Sequence, residues 1–503
     1  MKTKKQTLLK VLYFLSLLAF AYGVISVFRH NFLPLRYRFY GIGAVVFIYI
    51  IMGILLFARK NNHLLLKALM ALIFLVVGGV SLVGAYSLNK GIDVLDRLNQ
   101  SDKRLVEFSL VVKKDSDITE TEDLKDEKVL TALSKDLANI VHFKDHFNQT
   151  KSYELEFEDG DNYNSVAKKL LDDETKAILL NESFRSIIED AKGTEDFSSK
   201  TRVLERFTVE IEIDPEKEAE LTAEAKAELD KISKQAAEKY GQKDGESTLG
   251  GFALYISGID SYGDISTSGR SDVNIVASVN PKTRKVIIAS IPRDTYVPIA
   301  GGGYDNYDKL THAGIYGIES SKATVQNLLE MPIEYYARVN FSSLIEMVDV
   351  LGGIYVDNPV SFSSMGFDFP QGNIYLSGKQ ALAFSRERYS LAEGDFDRGR
   401  NQMRVIEGII RKSLSPAILL NYQDVLDTVL RSSQTNMPSS KIIELVNNQI
   451  DNGGEWQFEN LSVKGYGQMG LPSYAMPGWD LYMFVPDQES VDDIARQLYL
   501  NLQ

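Results

Sequence analysis

Three long apolar runs open the chain, and short apolar segments that alternate with polar ones follow them. The runs are Val11–Phe28, Phe39–Phe57 and Ala68–Leu88. Each is close to the ~20 residues that a helix needs to cross the hydrocarbon core of a bilayer. We therefore predict that residues 1–90 form a membrane anchor of three transmembrane helices. The alternative, three helices buried inside a soluble protein, requires three such runs in succession.

The basic residues around these runs predict the orientation of the anchor. The N-terminal tail and the segment between the second and third runs carry seven lysines and arginines, whereas the segment between the first and second runs carries three. Because basic segments favour the cytoplasmic side, we expect the N-terminus inside and everything after Leu88 outside. The chain is thus predicted to be a multi-pass protein of the cell membrane whose catalytic part is extracellular.

Residues 91–246 alternate between strand and helix patterns. Val106–Val112, Ala177–Leu180 and Phe207–Ile213 have the pattern of strands, and Ser165–Leu171 that of a helix. Such interleaving predicts a small α/β accessory domain. This segment contains no Gly-rich phosphate loop and no metal-ligand spacing, so an accessory role is favoured over a catalytic one.

A segment rich in Ala, Glu and Lys, Glu216–Lys239, follows the accessory strands. Its acid-to-base spacings predict a solvent-exposed linker helix. Gly241–Gly251 then has the composition of a domain boundary. We place a second domain at residues 247–503.

The second domain repeats the order strand, helix, strand. The predicted strands and helices are Phe252–Gly258, Val273–Val279, Val286–Ile291, Glu319–Leu329 (helix), Tyr335–Val339, Leu344–Leu351 (helix) and Ile354–Val360. Elements of these lengths predict an α/β fold, a sheet with covering helices. Ligands of such sheets tend to bind at strand ends.

Two carboxylates fall at such strand ends. Asp260 and Asp272 flank the loop that joins the first two predicted strands of this domain. If the loop doubles back, both side chains can share one hard cation, and Mg²⁺ is the expected ion. Arg270, two residues before Asp272, points to the same side of an extended segment. The alternative is that each Asp only stabilises a turn.

Arginines are concentrated in the stretch Phe384–Gln402. They are Arg386, Arg388, Arg398 and Arg400. Arg386 and Arg388 share one face if the backbone is extended, and Arg398 and Gln402 share one face of a helix. Because an arginine fork grips phosphate oxygens in pairs, the two pairs are predicted to converge on one anion. The alternative is a solvated loop that contains weak surface ion pairs.

Composition narrows the chemistry further. The net charge of −13 argues against a nucleic-acid partner, so any phosphate site must be local. The chain has no cysteine, which excludes disulfides, a thiol nucleophile and cysteine-bound metals. It has only five histidines, which leaves His312 as the one candidate for a Ser-His-Asp triad.

Four segments in the second domain resemble the LytR-CpsA-Psr family, most closely its streptococcal CpsA-type capsule branch. They are SGIDSYGDISTSGRSDVNIV from Ser257, SIPRDTYV at 290–297, YDKLTHAG at 307–314 and RERYSLAEGDFDRGRNQ at 386–402. The resemblance implies an extracytoplasmic, Mg²⁺-dependent phosphotransferase. Such an enzyme moves a glycopolymer (capsular polysaccharide or a teichoic-acid-like polymer) from an undecaprenyl-pyrophosphate carrier to peptidoglycan through a phosphodiester. Hydrolysis of the polyprenyl pyrophosphate is a conceivable side activity.

The resemblance also implies roles for individual residues. Asp260 and Asp272 would hold the metal, and Arg293 would sit at the reacting phosphoryl group. The pyrophosphate would be bound by Arg270, Lys309, Arg386, Arg388, Arg398 and Gln402. The acceptor hydroxyl must also lose a proton, and Asp395 is our candidate for the base or for a residue that orients an arginine. Arg400, off the Arg398–Gln402 face, is predicted to be structural.

A second hypothesis belongs to another functional class. A membrane-anchored regulator or lipid-binding sensor of wall or capsule production would use the same pocket without catalysis. The partners that we expect are a polyprenyl-pyrophosphate-linked glycan donor, peptidoglycan as acceptor, the lipid bilayer and other wall or capsule assembly proteins.

Overall fold

The fold is that of a computed structural model. It describes residues 2–30, 35–57, 64–98, 103–212, 215–241, 250–259, 265, 269–415, 425, 428 and 432–503. The chain forms two compact units. One comprises Met1–Gln100, Lys412–Leu430 and Met437–Glu455, and the other comprises Ser101–Arg411, Arg431–Asn436 and Trp456–Gln503.

The first unit contains the three predicted spans as helices: α1 (Lys2–His30), α2 (Leu35–Phe57) and α3 (Leu64–Leu98). Each contains 22 or 23 residues that are long and apolar enough to cross a membrane. The helices pack through a small core that includes Tyr49 and Phe74, while most of their large apolar side chains face outward. A helix that is apolar on all sides fits a lipid environment, because lipid covers the outward side chains.

The accessory domain is α/β, as predicted. Its elements are β1 (Lys103–Lys113), β2 (Lys128–Thr131), α4 (Leu133–Thr150), β3 (Glu156–Asp159), α5 (Tyr163–Leu171), β4 (Ala177–Asn181), α6 (Arg185–Asp190), α7 (Phe197–Lys200) and β5 (Thr201–Glu212). The strands form one sheet in the order β3-β2-β4-β1-β5. The interior strand β1, between β4 and β5, is buried on both faces, with Phe108 and Leu110 on one face and Val111 on the other. Helices therefore cover both faces of the sheet.

The linker helix α8 (Pro215–Tyr240) is less exposed than its composition predicted. Ile232, Ala236 and Tyr240 are buried, and the Tyr240 hydroxyl donates to the Leu329 carbonyl at 2.8 Å. The prediction of a solvent-exposed helix is therefore wrong for its C-terminal half. Apolar residues four positions apart form a stripe there, and the stripe packs on the second domain.

The second domain supplies the other elements. The strands are β6 (Phe252–Ile259), β7 (Ser271–Asn280), β8 (Lys285–Ser290), β9 (Tyr296–Pro298), β10 (Tyr307–Lys309), β11 (Tyr335–Asn340), β12 (Ile354–Asn358), β13 (Phe362–Ser364), β14 (Phe367–Phe369), β15 (Gly372–Leu376), β16 (Ser433–Thr435), β17 (Gln457–Ser462), β18 (Gly465–Met469) and β19 (Tyr482–Pro486). The helices are α9 (Ile318–Leu329), α10 (Phe341–Val350), α11 (Gly378–Arg386), α12 (Asp395–Ser413), α13 (Ser439–Asn452), whose residues belong to the first unit, and α14 (Gln488–Leu502).

A mixed six-stranded sheet organises this domain, in the order β16-β11-β6-β7-β8-β17. On one face, Tyr255, Val276 and Ile287 pack with α8, α9 and α14. On the other face, Ile275 and Ile288 pack with α12. The C-terminal ends of β6, β8, β11 and β17 meet at one edge of the sheet, where β7 begins. That edge carries the candidate site.

Candidate active site

A pocket of about 560 Å³, partly open to solvent, lies at this edge. Its walls come from the start of β7, the segment after β8, the first turns of α12, and β19. The lining residues are Asp272, Asn274, Ser290, Ile291, Pro292, Arg293, Asp294, Asp395, Phe396, Arg398, Gly399, Gln402, Ser462, Tyr482 and Phe484. Of the predicted site residues, the pocket brings together Asp272, Arg293, Asp395, Arg398 and Gln402.

Asp272 and Arg293 form the centre of the pocket. Arg293 Nη1 donates to Asp272 Oδ1 at 3.1 Å, and the Thr311 hydroxyl donates to the same oxygen at 3.0 Å. Burial alone would raise the pKa of Asp272, but Arg270, Arg293 and the Thr311 hydrogen bond hold that pKa below its ordinary value. Asp272 is therefore an ionised carboxylate at neutral pH.

Arg293 has donor capacity that its neighbours leave unused. Its Nε is buried and finds no hydrogen-bond partner among the described residues. The carboxylate oxygen that forms an ion pair with this Nε is Asp294 Oδ2, at 3.8 Å. A buried donor without a partner is unfavourable, so an anionic ligand in the pocket would satisfy it.

The first turns of α12 supply the second arginine. Arg398 and Gln402 lie one helical turn apart and both line the pocket, which confirms that they share a helix face. Arg398 Nη2 pairs with Asp395 Oδ1 at 2.5 Å. Burial and the nearby charges of Arg293 and Arg388 lower the pKa of Arg398, against the opposing effect of Asp395. The neighbouring arginines therefore disfavour the charge on Arg398, and an anion beside it would favour that charge.

A glycine allows α12 to approach the end of β8. A Cβ atom on Gly399 would lie 2.9 Å from the Ser290 hydroxyl oxygen, which is too close. Gly399 thus brings Arg398 and Gln402 against the strand end. Arg400 faces away from the pocket and pairs with Asp397 at 2.7 Å and with Glu393, as expected for a structural residue.

The structure does not bring Arg386 and Arg388 into the pocket lining. Arg386 ends helix α11 and its guanidinium lies over the Phe341 ring, 4.3 Å from the centroid. Arg388, in the loop that follows, donates to the Tyr389 hydroxyl at 2.5 Å. The prediction of an extended pair is wrong, because a capping box of Ser377 and Gln380 starts a helix that continues through Arg386.

Arg270 forms an ion pair with a residue of the accessory domain. It donates to the carboxylate of Asp190, the last residue of α6 in the accessory domain. Next to this exposed contact, Ile187 and Ala191 pack against Ile315 and Met476. Arg270 remains close enough to Asp272 to lower the pKa of that carboxylate. The accessory domain therefore touches a predicted site residue, which its sequence did not reveal.

Lys309, the last residue of β10, and Thr311, two residues further on, reach the site from one segment. Lys309 Nζ lies 2.8 Å from Asp294 Oδ1, so it stands at the rim, where it was predicted. Thr311 contacts Asp272 through its hydroxyl and the Arg293 carbonyl through its N–H. Sequence reasoning missed Thr311 and Asp294. The signal for Thr311 was its position two residues after Lys309.

Asp308 and His312 face the opposite way and fasten this segment. Asp308 is 1% exposed, and its Oδ1 lies 2.8 Å from His312 Nδ1 and accepts from the Ser473 hydroxyl at 2.7 Å. Its Oδ2 accepts from the Ala475 N–H at 2.7 Å. In a triad the imidazole stands between the carboxylate and the hydroxyl, whereas here the carboxylate stands between the two. His312 is thus not a catalytic base of that kind.

Both carboxylate oxygens of Asp308 accept hydrogen bonds, and in asparagine an amide nitrogen, which cannot accept, replaces one of them. We therefore expect Asp308→Asn to destabilise the protein by about 2 kcal/mol or more. Despite burial, His312 and the other donors lower the pKa of Asp308. The difference in free energy of unfolding between wild type and variant should therefore be complete above the ordinary carboxylate pKa of about 4. It should disappear as the pH falls below the pKa of Asp308 in the folded protein. Thermal unfolding of the full chain against pH measures it. Exposed Asp305→Asn is the matched control, and equal melting temperatures for both variants contradict the prediction.

The donor chemistry fits the Mg²⁺ that the resemblance implies. Asp260 lies outside the described residues, so the pairing of two carboxylates stays a prediction. Asp272 offers an ionised carboxylate whose described hydrogen bonds both end on Oδ1, and Mg²⁺ prefers such oxygen ligands. Within the described part of the chain, no three His, Cys, Asp or Glu side chains cluster to hold a metal. Water and phosphate oxygens would supply the remaining ligands.

The fold and the pocket define a class: an α/β domain, joined to apolar helices, with an arginine-lined pocket at the strand ends. Comparison with known proteins identifies the family within this class. Residues 217–498, more than half of the chain, match the model of the LytR_cpsA_psr family. The chain belongs to this LytR-CpsA-Psr family, which confirms the resemblance. A model named DNA polymerase processivity factor matches residues 60–180. That stretch runs from before α3 into β4 and omits β5, so it is not a folded unit.

Relatives with curated names are transferases. The protein named polyisoprenyl-teichoic acid–peptidoglycan teichoic acid transferase TagU from Enterococcus faecalis is 39% identical over 222 residues, 44% of this chain and 73% of its own. The protein of the same name from Bacillus anthracis is 35% identical over 252 residues, covering 50% and 79%. The crystal structure of TagU from B. subtilis is 31% identical, covers 50% of this chain and 97% of its own, and has a TM-score of 0.41.

Proposed function

We propose that this protein is a Mg²⁺-dependent phosphotransferase that moves a glycopolymer from an undecaprenyl-pyrophosphate carrier to peptidoglycan. The observation that carries the proposal is Arg293. It combines an ionised Asp272 with a buried Nε that has no hydrogen-bond partner in the described part of the chain, and it lies in one pocket with Arg398. A diphosphate would satisfy this arrangement. The names of the teichoic acid transferases among its relatives support the reaction type.

The pocket residues suit the charge changes of the reaction. A hydroxyl oxygen of the acceptor glycan attacks the phosphorus that bears the glycopolymer, and the bond to the bridging oxygen breaks. Polyprenyl phosphate leaves, and a phosphodiester joins glycopolymer and peptidoglycan. Arg293 and Arg398 stabilise the negative charge that moves onto the leaving phosphate. Asp395, paired with Arg398, either accepts the proton of the attacking hydroxyl or holds that arginine in place.

Asp272 and Asp260 would hold the Mg²⁺ ion, which supplies positive charge at the phosphate oxygens when bound. Asp272 has a second task in this scheme. Its negative charge lies close to Arg270 and Arg293, and it orients the Arg293 fork through the bond to Nη1. Thr311 fixes the carboxylate in turn.

The proposed place of the reaction is the outer face of the cell membrane. An ion pair within the first unit relates helix α13 to the predicted spans. Arg36 Nε, at the start of α2, lies 2.7 Å from Asp451 Oδ1 of α13. Paired groups lie on the same side of a membrane, so the end of α1 and the helix α13 share a side. With a cytoplasmic N-terminus, that side is extracellular.

Arg398→Ala tests the proposal against a matched control on the same helix, Arg400→Ala. We expect Arg398→Ala to lower transfer of labelled glycopolymer to peptidoglycan by about 10²–10³-fold, as for loss of one transition-state donor. Arg400→Ala should stay within a few-fold of wild type, because that side chain pairs outside the pocket. Equal losses in both variants would contradict the assignment.

Product analysis separates transfer from the alternatives. Full-length protein with a lipid-linked donor and Mg²⁺, but no peptidoglycan, should release little glycopolymer phosphate, whereas acceptor should produce the phosphodiester. Release of the phosphate at equal rates with and without acceptor would indicate a hydrolase. Donor binding without either product would indicate a regulator or lipid sensor.

A further inference from the structure

A two-stranded ribbon beside the pocket carries exposed tyrosines that the proposed reaction does not use. β9 and β10 pair antiparallel, with Tyr296 opposite Lys309 and Tyr307 opposite Pro298. These four side chains share one face of the ribbon because alternate residues of a strand point the same way, and the residues between them are buried. The rings of Tyr296 and Tyr307 are 4.9 Å apart between centroids, with an interplanar angle of 36°.

This face continues into the rim of the pocket. Lys309 reaches Asp294, a pocket residue, at 2.8 Å. Strand β19 is attached to the same segment, since the Phe484 N–H donates to the Asp294 carbonyl at 2.8 Å. Tyr482 of β19 lines the pocket, and burial together with the charges of Asp294 and Asp395 raises its pKa. The Tyr482 side chain therefore lies near the carboxylates of the pocket.

Tyr296, Tyr307 and Tyr482, here called the tyrosine face, have the chemistry of a sugar-binding surface. Tyr307 is 52% exposed and Tyr482 is 46% exposed. A tyrosine presents a flat apolar ring and a polar hydroxyl, and a pyranose presents C–H groups on its faces and hydroxyls at its edges. Asp294 pairs with Lys309 and neutralises its charge. Lys309 therefore gives the ribbon face no net positive charge with which to bind a second anion.

We propose that the tyrosine face binds the sugar rings of a glycan whose phosphate lies in the arginine-lined pocket. The inference rests on the proposed function, because that function puts a phosphate-linked glycan in the pocket. The sugars would extend from the phosphate over Tyr482 and onto the ribbon. They belong to the glycopolymer of the donor, because the peptidoglycan acceptor brings a hydroxyl and no phosphate to the reaction.

The test compares two tyrosine pairs in the full-length, detergent-solubilised protein. The variant is Tyr296→Ala with Tyr307→Ala. The matched control is Tyr355→Ala with Tyr375→Ala, since these exposed tyrosines also form a pair on a two-stranded ribbon, with ring centroids 5.6 Å apart, and neither lines the pocket. Affinities are measured for polyprenyl diphosphate with its glycan, for polyprenyl diphosphate without it, and for soluble peptidoglycan fragments.

We expect the variant to lose about tenfold or more affinity for a glycan-bearing probe, as for the loss of two ring contacts. It should bind the glycan-free diphosphate like wild type, and the control pair should bind all probes like wild type. A loss for the glycosylated donor supports the inference, whereas a loss for the fragments alone assigns the face to the acceptor and overturns it. Tyr296→Phe with Tyr307→Phe, which keeps both rings, should retain most of the affinity.

Unchanged affinity for the glycosylated donor overturns the inference, and so does an equal loss for the glycan-free diphosphate or in the control pair. The measurement is of binding and not of turnover. A failure of the proposed reaction, seen as the absence of the phosphodiester product with donor and peptidoglycan, is therefore distinct from a failure of glycan binding at the tyrosines.

Discussion

Replacing Arg293 with alanine is expected to lower glycopolymer transfer by about 10³-fold or more, one of the two largest effects expected of a single change in the pocket. Arg293 is the one arginine that both bonds Asp272 and leaves a buried Nε without a partner in the described part of the chain. An arginine that stabilises a phosphoryl transition state is worth about 10³–10⁵ in rate. Initial rates with labelled lipid-linked donor, peptidoglycan and Mg²⁺ measure the loss.

Arg293→Lys is the informative companion, because it keeps the charge and removes the fork. We expect its rate to fall between those of wild type and the alanine variant. Both proteins should unfold at temperatures close to wild type, since Thr311 still donates to Asp272. Near-normal turnover in Arg293→Ala would refute the role of this residue and, with it, the observation on which the proposed function depends.

The parts of the site that lie on one regular element could be predicted from the sequence. Arg398 and Gln402 were assigned to one helix face by their spacing of four, and they line the pocket together. The three spans were predicted from apolar length alone, because a bilayer sets the length of the helix. The role of Arg293 was implied by the family resemblance, and Arg293 lies in the same pocket.

The parts of the site that depend on distant partners could not be predicted. Asp308 is fastened by Ser473 and Ala475, which lie more than 160 residues further along the chain. Arg270 meets Asp190 only because α6 docks on the second domain through apolar contacts. The spacing of the arginines predicted an extended backbone at Arg386. Arg386 is helical instead, because the cap at Ser377 and the buried face of α11 favour a helix there.

These contacts suggest how the site keeps its geometry without a ligand. Three arginines near one carboxylate repel one another, and each is held by a partner of its own. Asp190 holds Arg270, Asp272 holds Arg293 and Asp395 holds Arg398. A diphosphate can therefore enter a site that is already ordered, which lowers the cost of organising charge in the transition state. Asp272 is the only one of these partners that is also a predicted metal ligand.

Asp272→Asn should consequently lose turnover by about 10³-fold or more while retaining measurable donor binding. The neutral amide no longer orients Arg293 or supplies an anionic ligand to a cation, whereas Arg293 and Arg398 remain to attract the diphosphate. Donor affinity and transfer rate are measured in parallel as Mg²⁺ is titrated, with Asp397→Asn on α12 as the matched control. The dependence of turnover on Mg²⁺ should weaken in Asp272→Asn and persist in the control. Full turnover with unchanged Mg²⁺ dependence in Asp272→Asn would exclude Asp272 as both a metal ligand and an orienting residue.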